Sequence, residues 1–314
     1  MVAGTFNTLS ASTFYVKVDG TGDGQSWQRA SADLRATLAR ATAGDQVWIA
    51  AGTYTPARHN RAASFVIPTG VAVYGGFSGT ETQLDQRNPA ANRTVLSGQL
   101  GAPAKIDNSY TVVLFRRADA QTILDGVTVS GGYADADTDA GDPLSSGAGL
   151  FNDAIDGQSS PTINNCVFEH NEARNGGAVY NHGRRGLAAP QFTNCTFRKN
   201  TADMDGGAVQ NDGRDGGRCA ASFTDCVFEE NLATYGSAIC MSKGNRDSKI
   251  ALTNCIIERN AALLWGGGLY GLVADDFHFE LSFNRFVDNY PTNVNKRYTH
   301  TQPLQQQAIF QGNR

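Results

Sequence analysis

Two short loops hold the densest mixture of side chains able to do chemistry. "NHGRRG" runs from Asn181 to Gly186 and "NDGRDG" from Asn211 to Gly216, 30 residues apart. Together they contain His182, Arg184, Arg185, Asp212, Arg214 and Asp215. If the loops sit on neighbouring turns of a repeating coil, His182 superposes on Asp212, Arg184 on Arg214 and Arg185 on Asp215. Asp153 and Asp156 lie one turn earlier, and Arg246 and Asp247 one turn later. The result is a ridge of mixed charge along one edge. A polysaccharide suits such a ridge, because its units repeat as the surface does. The same residues also suit a solvated loop edge, whose exposed ion pairs contribute only about 0–1 kcal/mol each.

A second stretch, "YADADTDAGD", places Asp135, Asp137, Asp139 and Asp142 within eight residues. The alternating aspartates match the start of an EF-hand loop, which takes ligands from positions 1, 3 and 5. The run therefore reads as a candidate Ca2+ loop. The match is incomplete: Ala140 stands where that loop has its glycine, and Ser146 where it has its glutamate. The other reading is a flexible acidic loop.

These segments hang on a repeat. Cys166, Cys195, Cys226 and Cys255 recur at steps of 29, 31 and 29 residues. A period of this size marks stacked supersecondary units that share one long core. In "QFTNCTFRKN" (191–200), Phe192, Cys195 and Phe197 point inward and Thr196 outward, at the period of two that strands have. Asn194 makes a one-residue corner, since Asn tolerates the left-handed conformation of a tight bend. Asn200 closes the strand, a short polar arc follows, and Gly206-Gly207 precede the next strand, giving about three short strands per coil. Stacking aligns Phe168, Phe197, Phe228, Ile257 and Phe286 in one column and Asn165, Asn194, Asp225 and Asn254 in another. A corner Asn can bond along the stack, as in other Asn ladders. Helical repeats are excluded, because paired glycines interrupt the copies.

Earlier segments read as the same coil, less regular: "TILDGVTV" from Thr122 aligns with "TINNCVFE" from Thr162, and "SGAGLFND" from Ser146 with "GGAVYNHG" from Gly176. "SADLRATLARATAG" (31–44) reads as a short helix capped by Ser31, covering the open end of the core. The expected organisation is a flexible N-terminus over 1–13 and one all-β parallel β-helix (β-solenoid) over 14–290. Within it lie an N-terminal cap (14–43), irregular coils (44–134), the acidic insertion (135–146) and regular coils (147–290). A C-terminal cap or tail occupies 291–314.

A chain of 314 residues with net charge -4 has no electrostatic footprint for nucleic acid, and no apolar run approaches a membrane span. The start lacks the basic and apolar segments of a signal peptide. The four periodic cysteines read as buried apolar residues. Cys219 and Cys240 fit either a bonded pair or free thiols.

The repeats carry a resemblance. "FEHN" (168–171), "FRKN" (197–200), "FEEN" (228–231) and "FVDN" (286–289) fit FxxN, and "GGAV" at 176 and at 206 fits GGA(I/L/V). Paired motifs of this kind resemble those of the chlamydial polymorphic outer membrane proteins and related bacterial surface proteins. The resemblance covers most of 14–290 and departs at Ile257, at Gly236-Ser237 and in the irregular stretch from 76 to 122. It implies a right-handed, pectin-lyase-like β-helix, exported to the cell surface or beyond, acting in adhesion rather than catalysis. The expected partner is a polysaccharide or a ligand on a host or neighbouring cell. The alternative from another class is a polysaccharide lyase or glycoside hydrolase. Lyases of this architecture use a Lys or Arg base with carboxylate-held calcium, and Arg214 beside Asp212 and Asp215 is the nearest such trio. Hydrolases use clustered aspartates as acid and base. The pair Asp275-Asp276 has no matching partner one coil away, and His278, between Phe277 and Phe279, reads as a strand residue. A third reading is self-assembly of coils end to end.

Overall fold

The computed structural model describes residues 11–101, 104–242, 244, 247–271, 277–296 and 309–311. Almost every strand in it pairs with the equivalent strand one turn away, in parallel, as the in-register ladders Val167–Thr196–Val227–Ile256 and Phe168–Phe197–Phe228–Ile257 show. The chain winds as an all-β parallel solenoid. In chain order, one coil contributes Thr162–Asn164 to a first face, Val167–Glu169 to a second, Glu172–Asn175 to a third and Val179–His182 to a fourth. These faces are sheets of nine, nine, five and eight strands, and a three-stranded strip crosses the loops that follow the fourth. The expected three strands per coil are thus at least four. The segment read as a polar arc is a strand, because stacking lets its backbone bond to the coil on either side.

The core is the expected one, and the aromatic columns stack ring on ring. Phe168–Phe197 and Phe197–Phe228 lie 5.1 and 4.7 Å apart at 5°. Phe192–Phe223 stack at 4.9 Å, and the two columns meet edge-on. All six cysteines are free and buried.

FxxN has a clear mechanical meaning. Asn171, Asn200, Asn231, Asn260 and Asn289 are buried. Each Oδ1 from Asn200 onward accepts both the backbone N–H and the Nδ2–H of the preceding Asn, at 2.8–3.1 Å. Nδ2 of Asn200, Asn231 and Asn260 also donates to the carbonyl of Phe168, Phe197 and Phe228 respectively. The phenylalanine fills the core of its coil and the asparagine ties the next coil to it. A second ladder follows the corner: Asn194 donates to Asn165 and Asn254 to Asp225, with φ of 51° to 55° along the column. At the second Gly of the GGA motif a Cβ on Gly207 would meet the Leu232 carbonyl oxygen at 2.5 Å. Ser237 takes that place one coil on, its hydroxyl donating to the Ala261 carbonyl.

Two alignments shift by one residue. Asn164 pairs with Asp125 and Val167 with Thr128, so the glycine at 126, not Asp125, occupies the corner held by Asn165. Likewise Leu150 pairs with Val179, which aligns Gly147 with Gly176. The left-handed positions decide this: Gly126 has φ 74°, and Gly147 and Gly176 have 66° and 64°. The helix spans Leu34–Arg40, and its cap is Asp33, whose carboxylate accepts from Ala36 N at 2.8 Å. Ser31 instead accepts from the backbone of Asp33. No helix among the described residues is long and apolar enough to cross a membrane.

Candidate functional site

The ridge residues project from the ends of the fourth-face strands. Along Leu150–Asp153, Val179–His182 and Val209–Asp212, alternate side chains point into the core (Leu150, Asn152; Val179, Asn181; Val209, Asn211). The others (Phe151, Asp153; Tyr180, His182; Gln210, Asp212) lie on the outer surface, and most are buried there as well. The glycine turns and the acidic insertion cover them: Gly141 lies against His182 and Tyr180. Leu114, Phe151 and Tyr180 form a small apolar cluster outside the main core.

The expected stacking holds at the start of the ridge, with Asn181 paired to Asn211 and His182 to Asp212. Asp212 is the anchor. Its side chain is fully buried, accepts from Tyr180 Oη at 2.5 Å, and takes two bonds from Arg214, Nε and Nη2 both at 2.8 Å. Arg184 Nε stands 3.2 Å from the same carboxylate and 3.6 Å from Asp215. Burial alone would raise the Asp212 pKa. The bonds from Arg214 and Tyr180 outweigh it and hold the carboxyl below its usual range. Asp205, one strand earlier, shows the opposite balance. Burial pushes it up to about 6, the Arg214 charge opposes the rise, and Asp212 adds to it. Sequence reasoning missed Asp205, because a residue at the end of an unrecognised strand gives no signal of facing Asp212.

Arg185 turns away from Asp215 and grips Asp156 on the preceding coil, at 2.7 and 3.0 Å. Both sit at a left-handed corner shared by Arg117, Asp156, Arg185 and Asp215, where charge alternates coil by coil. His182 Nδ1 lies 3.4 Å from Asp153 Oδ1. Burial raises Asp153, but the bond from His182 brings it below its usual value. Asp247 is 4.0 Å from Arg218. Arg246, Asp275 and Asp276 lie outside the described residues.

The four aspartates of the insertion take separate directions. Asp135 meets Arg61 at 2.5 Å, and Asp137 lies 3.6 Å from Arg174. Asp142 Oδ1 accepts from Leu144 N, and Asp139 accepts through its backbone carbonyl from Ser145 Oγ. Among the described residues no group of three or more His, Cys, Asp or Glu side chains is disposed to hold a metal ion.

Residues 194–212 match the Chlamydia polymorphic membrane protein repeat. No curated protein sequence matches the chain. Among solved structures the chain is similar to pectate lyase Pel9A, with a TM-score of 0.61 at 16% identity over 90% of this chain. It spans 64% of the length of that enzyme. The pectin methylesterase from Aspergillus niger, in deglycosylated form, aligns over 94% of both chains at 12% identity with a TM-score of 0.48. The stacked parallel coils are thus a parallel β-helix whose backbone path is similar to that of pectate lyase Pel9A, and one of its repeats, over 194–212, is similar to that of the Chlamydia polymorphic membrane proteins.

Proposed function

We propose that this β-helix is a non-catalytic module of a bacterial surface, binding an acidic polysaccharide along the ridge that follows its fourth face. One observation carries the reading. Arg184, Arg185, Arg214 and Arg218 all lie along one edge of neighbouring coils, part-exposed, with Arg185 and Arg214 each held by two hydrogen bonds to a carboxylate and Arg184 and Arg218 within 3.2 and 4.0 Å of one. Guanidinium groups held in place lose little freedom on binding and can fork onto a carboxylate of a polymer. The same geometry weighs against catalysis, since Asp212 is ionised, enclosed and already shared by two arginines. The matching repeat belongs to a membrane-protein family, which supports display at a surface, and the similar fold includes an enzyme named for pectate.

Calorimetric titration with polygalacturonate and with a neutral glucan tests the proposal. Binding of the acidic polymer should weaken with salt and fall at least about tenfold in Arg185→Ala with Arg218→Ala, as lost charge contacts of this kind do. Absence of binding to any acidic polymer would end it. New absorbance from an unsaturated sugar, lost in Arg214→Ala, would favour the lyase reading instead.

A further inference from the structure

The third face changes character along the stack. Its inward column is alanine throughout: Ala134, Ala173, Ala202, Ala233 and Ala262. Outside, the early coils are charged. Glu172 bonds Lys105, Arg174 reaches toward Asp137, and Arg61 and Lys105 lie over Tyr133. Toward later coils the face turns more apolar, although Thr201, Asp203 and Thr234 remain among its outward residues. Thr201 pairs with Leu232, Leu232 with Ala261, Ala261 with Tyr290, and Tyr235 with Trp265. Met204, Leu232, Leu263, Leu264, Trp265 and Tyr290 are 36% to 71% exposed. They lie on four neighbouring coils of this face, whose pairings shift register between Thr201 and Asp205 and between Ala233 and Tyr235.

We infer that this surface joins two copies of the chain, third face to third face, about a two-fold axis. From their exposures the six residues present roughly 600–700 Å2 in all, polar and backbone atoms included, of which the larger part is apolar. The apolar part lies at the upper end of the roughly 300–600 Å2 of a typical monomer's largest patch, and with the polar rim around it the face approaches the roughly 800 Å2 that each partner gives to a standard interface. The spacing favours an identical partner. Side chains on this face stand in rows about 4.8 Å apart, set by the stacking of strands. A second copy carries the same strand spacing and the same register shifts, so bulged residues of one copy can seat beside those of the other in a self-complementary two-fold contact. The contact is face to face, and the ends of the coil stay open. It rests on none of the ridge residues and is independent of polysaccharide binding.

Sedimentation velocity over about 5–200 μM tests it, a range that spans the weak end of specific protein association. The parent chain should double its mass across that range, and so should Phe283→Lys, which alters an exposed apolar residue at a corner of the coil. Leu263→Lys with Leu264→Lys should remain monomeric, a weakening of at least about 30-fold, because charges would be buried without partners. Met204→Lys provides a second variant should the double change disturb folding, which circular dichroism melting reports. A parent chain that stays monomeric overturns the inference, as does a double variant that dimerises like the parent. A parent that forms open-ended oligomers, or that stays monomeric and cosediments with phosphatidylcholine vesicles, overturns it too.

Discussion

Replacing Asn231 with leucine tests what holds one coil to the next. The side chains share a branched shape with the same number of heavy atoms, so no cavity forms, but the leucine methyls are bulkier than the amide and the ladder is cut. Asn231 Oδ1 accepts the backbone N–H and the Nδ2–H of Asn200, both at 3.0 Å. Its Nδ2 donates to the Phe197 carbonyl and to Asn260 Oδ1, both at 2.9 Å. Leucine leaves the Asn200 N–H with no acceptor in a site closed to water, and removes one bond each from Asn200 Nδ2, Phe197 O and Asn260 Oδ1. Asn200 Nδ2 keeps its bond to the Phe168 carbonyl, and Asn260 Oδ1 keeps the backbone N–H of residue 231. One orphaned donor costs about 1–3 kcal/mol, and each of the three halved groups adds a fraction of that. Extra apolar burial returns about 1 kcal/mol. The net expectation is about 3 kcal/mol of destabilisation, read by guanidinium titration followed by circular dichroism. Asn231→Asp adds a sign. A carboxyl in this enclosed site has its folded pKa raised above the unfolded value of about 3.9, so the native state binds the extra proton. Its deficit should be smallest below about pH 4 and widen as pH rises toward the raised folded value. If Asn231→Leu costs less than about 1 kcal/mol, or the Asp deficit does not change with pH, the buried ladder is not what fixes the stack.

Asp205→Asn should stabilise the protein at pH 7–8 by about 1–3 kcal/mol and change little near pH 4. The folded pKa near 6 stands above the unfolded value, so the native carboxyl grows costly as pH rises through that window. A gain of equal size at pH 4 would refute this assignment. Asp225→Asn should gain up to about 1 kcal/mol: an ionised Asp225 cannot donate to Asn194 as Asn254 donates to Asp225, so the corner ladder breaks there. A loss in thermal melting would show that the charge on Asp225 matters more than continuity. Millimolar calcium should leave the melting temperature unchanged, because Asp135 and Asp137 already face Arg61 and Arg174. A rise that vanishes in Asp137→Asn with Asp139→Asn would restore the calcium loop.

The repeat itself determined the solenoid. Phe, Cys and Asn at a fixed period can bury their side chains only if coils stack in register, so the Phe column, the Cys column and the left-handed corner at Asn194 were all legible. The register of the irregular coils was not. "TILDG" and "TINNC" look alike with Asp125 over Asn165, yet backbone conformation places the glycine at 126 in the corner, since a residue lacking Cβ takes positive φ without strain. The strand of the third face was hidden for a related reason: "TADMD" and "EARN" show no alternation alone, and become strands because the neighbouring coil supplies their hydrogen bonds. Six charged residues of the ridge were legible from the two matching loops, but Arg218 and Asp205 were not, and the pairing within the ridge belongs to tertiary structure. Arg185 turns to Asp156 rather than Asp215, two arginines converge on Asp212, and Asp205 enters from another strand. Spacing along the chain says which residues share an edge. Which charge each one meets depends on burial and on distances across coils, and these exist only once the coils have stacked.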